Sequence, residues 1–311
     1  MKKKITLKLD KLKDFLNHGI WHVNLDDLSK TKSRLVRDVK VIMVAMDNFR
    51  ENRTGFQSIA LCYFCLMAAV PFLAVSFAVT DGFGLTPRLT ELLYNNIGSN
   101  PELINQILQA ANNILISAKS GIVGLVSALM FIWLVIWTMN RTEVIFNDIW
   151  HVKRSRNFFK QLGIDLVIMI MTPFIILMFF SGSIVYSNML DYIIPGSLGI
   201  SAEIKSALGW VIFGAIVIFI FSAMYKFIPS AKVKFKFALK AAILSGIAFT
   251  VLQYLYLETQ VMVTRINGVY GTLAAIPLFI LWLRFGWLIV LYGAQFSYSF
   301  QKVEFNEIEQ L

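Results

Sequence analysis

Residues 54–80 read TGFQSIALCYFCLMAAVPFLAVSFAVT, 27 residues without a charge between Arg53 and Asp81. A helix rises about 1.5 Å per residue, so about 20 apolar residues cross a hydrocarbon layer roughly 30 Å thick. The stretch is long enough to span a membrane and too long for an ordinary core helix. Working outward, Lys119 and Arg141 bound 21 uncharged residues, Asp165 and Asp191 bound 25, Lys205 and Lys226 bound 20, and Lys240 and Glu258 bound 17. The last stretch, 267–301, carries one charge, Arg284. The fold class expected is an all-α polytopic membrane protein of six transmembrane helices. Strand spans are excluded, since barrel segments are about ten residues of alternating polarity.

Composition agrees. Charged residues make up 15% of the 311, against about 25% in soluble domains. Mean hydropathy is +0.65. The 26 Phe, 10 Tyr and 7 Trp exclude a disordered chain, and two Cys exclude a disulfide scaffold.

Lys and Arg number 13 before the first span, then 2, 5, 1, 5 and 1 in successive segments, with Lys302 in the tail. This alternation is the positive-inside pattern and predicts that both termini are cytoplasmic. It also accounts for the net charge of +10 without nucleic acid as a partner; anionic membrane lipids are the partner such a face attracts. Residues 1–53 read as a cytoplasmic amphipathic extension, 54–301 as the six-helix domain and 302–311 as a cytoplasmic tail. Within the extension, Ile5, Leu9, Leu12, Phe15 and Leu16 recur at helical spacing, as do Leu35, Val39, Ile42, Met43, Met46 and Phe49. No cleavable signal peptide is expected. The external segment 81–119 repeats the helical pattern at Ile104, Ile107, Leu108, Ala111, Ile114 and Leu115, which predicts a helical cap.

Chemistry-bearing motifs are sparse. Cys62 and Cys65 form a C-x-x-C inside the first span, where a thiolate is disfavoured and packing is the simpler reading. His18 and His22 lie one helical turn apart, but no further ligand has fitting spacing, and His151 stands alone. No metal, cofactor or catalytic site is expected, and no HExxH, GxSxG or Walker A pattern occurs. Small residues Gly121, Gly124, Ala128, Ala242 and Gly246 suit close helix contact.

The last span is more informative. A charge near its middle costs about 2.5–3.5 kcal/mol on insertion scales and usually faces a polar interior. Pro277 and Gln295 fall within about 20° of Arg284 on an ideal helix, and Ser299 follows Gln295 by one turn. Arg284, Gln295 and Ser299, with Gln253 of the fifth span, are therefore the candidate lining of a polar cavity. Snorkelling of Arg284, or a shorter span beside a re-entrant piece, is the structural alternative. Glu258 is an available acid on a neighbouring segment. Pro71, Pro173 and Pro277 are candidate helix kinks. After Pro229, Lys232, Lys234 and Lys236 alternate with Val233, Phe235 and Phe237, so the lysines share one face if the segment is extended. They are candidate contacts for lipid head groups; topology determination alone would also explain them.

Four stretches together resemble the YihY/BrkB family of bacterial inner-membrane proteins. They are Ala60 to Phe64 with Pro71; Phe146, Asn147, Asp148, Ile149 and Trp150 before Lys153, Arg154 and Arg156; Tyr225, Lys226, Phe227, Ile228 and Pro229 with the three lysines; and Tyr270 to Ala275 with Trp282, Gly293, Ala294 and Gln295. The resemblance runs in order from about 55 to 300. It departs at Ala68, where the family usually has Ser, and at Gln295, where it commonly has Glu. Any ion-coupled mechanism resting on that Glu does not carry over to this chain. The resemblance implies an inner-membrane location and an envelope role, including suspected transport of lipid-like molecules. A ribonuclease label attached to some members finds no carboxylate cluster, metal ligand set or general base here.

Two functional readings follow. The first is a transporter or flippase-like protein for a lipid or other amphiphile, passive, ion-coupled or partner-driven in the absence of a nucleotide motif. The second is a non-transporting envelope scaffold whose basic face recruits lipids or proteins.

Overall fold

The computed structural model describes residues 29–82, 121–152, 202–266 and 268–309, with isolated positions between 84 and 116. Everything described is helix or short turn; no strand occurs among the described residues. The helices are α1 (Lys30–Glu51), α2 (Thr54–Gly82), α3 (Gly121–Ile149), α4 (Ala202–Phe227), α5 (Phe235–Ile266) and α6 (Gly268–Glu309). Four are long and apolar enough to cross a membrane over Gly124–Ile149, Ala207–Phe227, Phe235–Gln260 and Ile276–Glu304. The opening uncharged run forms the 29-residue α2, in which Thr54–Ala68 is an apolar helical stretch. The expected third span at 166–190, with Pro173, lies outside the described residues. So do the amphipathic helix at 1–20 and, but for isolated positions, the helical cap at 104–115.

The chain divides into two compact units. The first comprises Met1–Ser58, Ile145–Ser155 and Met178–Leu311; the second comprises Ile59–Val144 and Arg156–Leu177.

In the first unit, α5 packs along both α4 and α6, and α1 lies against α6. Gly246 permits the α4–α5 approach, because a Cβ there would come within 2.5 Å of Ile218 Cγ1 and 3.3 Å of its Cα. Rings continue the contact inward: Phe221 meets Phe249 edge-on at 5.6 Å, and Phe249 meets Trp282 of α6 at 6.2 Å. The outer faces of α4 and α5 expose Val211, Phe219, Ile247, Val251 and Leu255. Such an apolar surface is the one a lipid environment solvates and water does not.

Helix α1 docks through Val41 and Val44 against Val303, with Phe296, Tyr298 and Phe300 packed around them, and Phe49 stacks on Tyr292 at 4.2 Å. The docking face is offset from the apolar stripe read in the sequence: Leu35, Ile42 and Met46 of that stripe stay exposed. Helix α1 is apolar on two sides, and α6 covers only one. Arg53 (φ 47°), in the left-handed region, turns the chain between α1 and α2. Its carbonyl accepts from the N–H groups of Phe56 and Gln57, which starts α2 at once.

The last helix is longer than its uncharged run. It continues past Gln301 to Glu309, because Val303 is held in the α1 contact and Glu304 pairs with Lys236 at 3.5 Å. The helix also runs on through Pro277, as α2 does through Pro71.

In the second unit, Leu61, Cys62 and Leu134 are buried, while Tyr63, Ile122, Leu125 and Trp133 are exposed. Phe64 meets Trp137 at 5.1 Å, and Trp137 meets Trp133 at 4.9 Å. Thr138 and Thr142 return their hydroxyls to the carbonyls four residues back, at 2.7 and 2.8 Å, so neither exposes an unmet donor in an apolar helix. Cys62 and Cys65 are not joined in a disulfide.

Candidate functional site: a buried polar core and the turn at its end

An apolar helix tolerates an uncharged polar side chain when a partner is close, and α4, α5 and α6 carry several that are buried together with the residues they meet. Gln295 is 0% exposed; its Nε2 donates to Thr54 Oγ1 at 3.0 Å, tying the last helix to the first turn of α2. Ser299 Oγ donates to the Gln295 carbonyl at 2.8 Å. On the neighbouring pair, Tyr225 Oη donates to Ser245 Oγ at 2.8 Å, and that hydroxyl lies 3.0 Å from the Ala241 carbonyl. Phe146 and Phe221 enclose the Tyr225 ring at 6.4 and 6.0 Å. Gln253 accepts from Trp282 Nε1 at 2.9 Å. Three buried oxygens have no hydrogen-bond partner among the described residues: Gln295 Oε1, Ser222 Oγ and Ser297 Oγ.

Arg284, Gln295 and Ser299 of α6, aligned on the helical wheel, and Gln253 of α5 are therefore not gathered in one place. Gln295 and Ser299 share a turn, and Gln253 sits farther along against Trp282. Arg284 is exposed and makes no hydrogen bond or ion pair with a described residue. The geometry explains this separation. Trp282 turns toward α5, and two residues later the helix has rotated about 200°, so Arg284 points away from Gln253. Gln295 is enclosed by the α1–α2 joint, which covers one end of α6; Arg284 lies about 16 Å along the axis from it. A wheel projects both residues onto one direction but carries no information on what covers each level.

The turn 228–234 joins α4 to α5 and is fixed from three sides. Gln301 Nε2 donates to the Lys232 carbonyl at 3.1 Å, and its Oε1 accepts from the Lys234 N–H at 2.8 Å. Asn147 Oδ1 accepts from the Ser230 N–H at 2.7 Å, and Lys226 Nζ reaches back to the Val233 carbonyl. Asn48 Nδ2 donates to the Ile149 carbonyl at 3.2 Å, so the end of α3 that carries Asn147 is itself held by α1. Lys232, Lys234 and Lys236 are all exposed, with Val233 buried between the first two. The alternation expected from the sequence holds from 232 to 234 and ends there, since α5 begins at Phe235 and Phe235 is itself exposed. Lys236 belongs to the helix and pairs with Glu304. Lys240 lies 5.8 Å from the ring centroids of both Phe237 and Phe300.

Gln301, Asn147 and Asn48 were not singled out as site residues from the sequence. Their one legible signal is an uncharged amide at the margin of an apolar run, where a backbone turn needs a partner. Among the described residues, no three His, Cys, Asp or Glu side chains converge as metal ligands would.

Residues 45–310 match the family described as Virulence factor BrkB. The chain is similar to a UPF0761 membrane protein of Haemophilus influenzae, 30% identical over 268 residues that cover 84% of this chain and 95% of the relative. A UPF0761 membrane protein of Mannheimia succiniciproducens is 27% identical over 80% of this chain and 85% of its own length. One of Aggregatibacter aphrophilus is 26% identical over 80% and 87% respectively. No solved structure matches.

Proposed function

Because this chain belongs to the Virulence factor BrkB family, whose similar relatives are named membrane proteins, we propose that it is a bacterial inner-membrane protein that moves a lipid or other amphiphile between leaflets. In this reading it has six spans with both termini cytoplasmic. The supporting observation is the set of buried oxygens without described partners, Gln295 Oε1, Ser222 Oγ and Ser297 Oγ, inside an apolar bundle. An unmet buried acceptor is expensive, and in this reading a ligand group meets it for part of the time. A lipid head group offers hydroxyl or amine donors of the right kind, and its tails remain in the surrounding hydrocarbon. Movement would be passive, ion-coupled or driven by a partner, since no nucleotide-binding motif is present.

The second reading, a scaffold that recruits lipids or proteins, is favoured by one specific feature, the rigidly held lysine turn at 232–234. Full-length protein reconstituted into vesicles with a fluorescent phospholipid separates the two. The transport reading requires that inner-leaflet probe move out to a membrane-impermeant external quencher faster than in protein-free vesicles. Equal rates across phosphatidylethanolamine, phosphatidylglycerol and cardiolipin probes, all at the protein-free level, would leave the scaffold.

A further inference from the structure

Gln301 bonds the Lys232 carbonyl and the Lys234 N–H, so its level on α6 is also the level of the turn between α4 and α5. That turn joins two apolar helices, Ala207–Phe227 and Phe235–Gln260, and so marks one face of the bilayer. At about 1.5 Å per residue away from it, all three helices reach aromatic rings at one depth. Trp210 lies about 26 Å from Phe227 along α4, and Tyr254 about 28 Å from Phe235 along α5. Trp282 lies about 28 Å from Gln301 along α6. The rings touch in pairs, Trp210 with Tyr254 at 5.5 Å and Tyr256 with Trp282 at 5.3 Å. Beyond them α4 and α5 carry exposed carboxylates, Glu203 and Glu258. Trp and Tyr gather at the membrane–water boundary, and the hydrocarbon between two such boundaries is about 30 Å thick. The collar of rings therefore marks the opposite face of the bilayer.

Arg284 stands about 3 Å inside the Trp282 level, close to this second boundary. The Cα–Cβ bond of a helical residue tilts toward the helix N-terminus, and the N-terminus of α6 is on the collar side. The stem of Arg284 thus leans out of the hydrocarbon, and its length carries the guanidinium to the head groups. Arg284 is exposed and pairs with no described residue. The contact of Trp282 with Gln253 puts α5, and Glu258 with it, on the other side of α6. Around Arg284 on its own side, Ile280, Leu281 and Phe285 are exposed. A cation at head-group level on an apolar face has no internal counter-ion here. The anion present at that level of a membrane is lipid phosphate.

We propose that Arg284 binds the phosphate of a membrane lipid in the leaflet opposite the 228–234 turn, the outer leaflet if both termini are cytoplasmic. A guanidinium presents paired donors in a plane, which match two oxygens of one phosphate. The assignment rests on the membrane reading and not on transport, so the vesicle assay for translocation neither supports nor sinks it.

Depth is tested first, with full-length protein in phospholipid nanodiscs. In a chain with Cys62→Ala and Cys65→Ala, Leu281→Cys and Phe285→Cys each carry a nitroxide. Relaxation by oxygen and by a water-soluble nickel chelate should place both labels nearer the head groups than the bilayer centre. A central reading at either position would overturn the assignment. Binding is read by native mass spectrometry of protein in micelles, as retention of phosphatidic acid relative to diacylglycerol, probes that differ by the phosphate alone. Arg284→Leu should lower that ratio on the order of fivefold. Arg284→Lys keeps the charge and a long stem, and should stay within about twofold of wild type. Lys236→Gln removes a cation already paired with Glu304 at the other face, and should change the ratio less than about twofold. If Arg284→Leu does not fold, Arg284→Gln replaces it with the same expectation. A ratio undiminished in the folded uncharged variant would overturn the phosphate contact. An equal loss in Lys236→Gln would overturn it as well, by showing diffuse charge attraction.

Discussion

The hydroxyl of Tyr225 fills the space into which a Cβ on residue 293 would project. An added methyl at Gly293 would also lie 2.5 Å from Tyr225 Cζ and 2.7 Å from Ser245 Oγ. Three helices meet at this point: Tyr225 comes from α4, Ser245 from α5 and Gly293 from α6. Neither ring nor hydroxyl can retreat, because Tyr225 is 0% exposed and Ser245 only 5%.

Gly293→Ala is therefore expected to destabilise the protein by about 1–3 kcal/mol through overpacking. The loss should appear as a lower unfolding temperature in detergent. Adding Tyr225→Phe removes the atom in closest conflict, so the double variant should recover part of the loss. A Gly293→Ala variant as stable as wild type would contradict the packing described.

Gln295 offers a cleaner separation of stability from function. Replacement by Leu gives up the bond to Thr54 but also removes the unpartnered Oε1, and the two effects oppose one another. Gln295→Leu should change stability by no more than about 1 kcal/mol. On the transport reading it should nonetheless reduce lipid movement in the vesicle assay. Full movement with Leu at this position would remove Gln295 from the pathway.

Arg284 was expected from its depth to face a polar interior, and in the described structure it is exposed. Removing the charge should then help insertion, by up to about 2.5–3.5 kcal/mol for a residue near mid-bilayer. Arg284→Leu should give membrane yield and unfolding temperature equal to or above wild type. Arg284→Lys should resemble wild type. A marked fall for both would mean that the guanidinium holds the fold through a planar, two-pronged contact that neither replacement supplies.

Topology is testable residue by residue. Reporter fusions after Lys11, Ile107, Ser155, Ser201, Lys234 and Lys302 should report cytoplasmic, external, cytoplasmic, external, cytoplasmic and cytoplasmic positions. An external signal at Lys234 would invalidate the charge-based orientation.

The described apolar helices were legible because lipid demands long uncharged runs. Their ends were less so. The run 241–257 became a helix of Phe235–Ile266, since Lys236, Lys240 and Glu258 are good helix formers that can reach toward water from the ends of a span. The polar core was legible in part: an amide among apolar residues marked Gln253 and Gln295. Their partners could not be read, because Thr54 lies 241 residues from Gln295 and only packing brings them together. The Gln301 clamp was invisible for the same reason. Arg284 was misplaced by a wheel that treats all levels of a 42-residue helix alike.

That 42-residue helix has a mechanical consequence. At about 1.5 Å per residue it is roughly 63 Å long, some twice the hydrocarbon thickness, so a large part of it stands outside the bilayer. From Pro277 to Gln301 the rod measures about 36 Å, and at its far end it grips the turn through two hydrogen bonds. A tilt of about 10° near Pro277 would swing the Gln301 end by about 6 Å. The rod is in effect a lever pivoting near Pro277, whose long arm lies within the apolar stretch Ile276–Glu304 and ends at the lysine turn, so a bilayer of different thickness would shift its tilt.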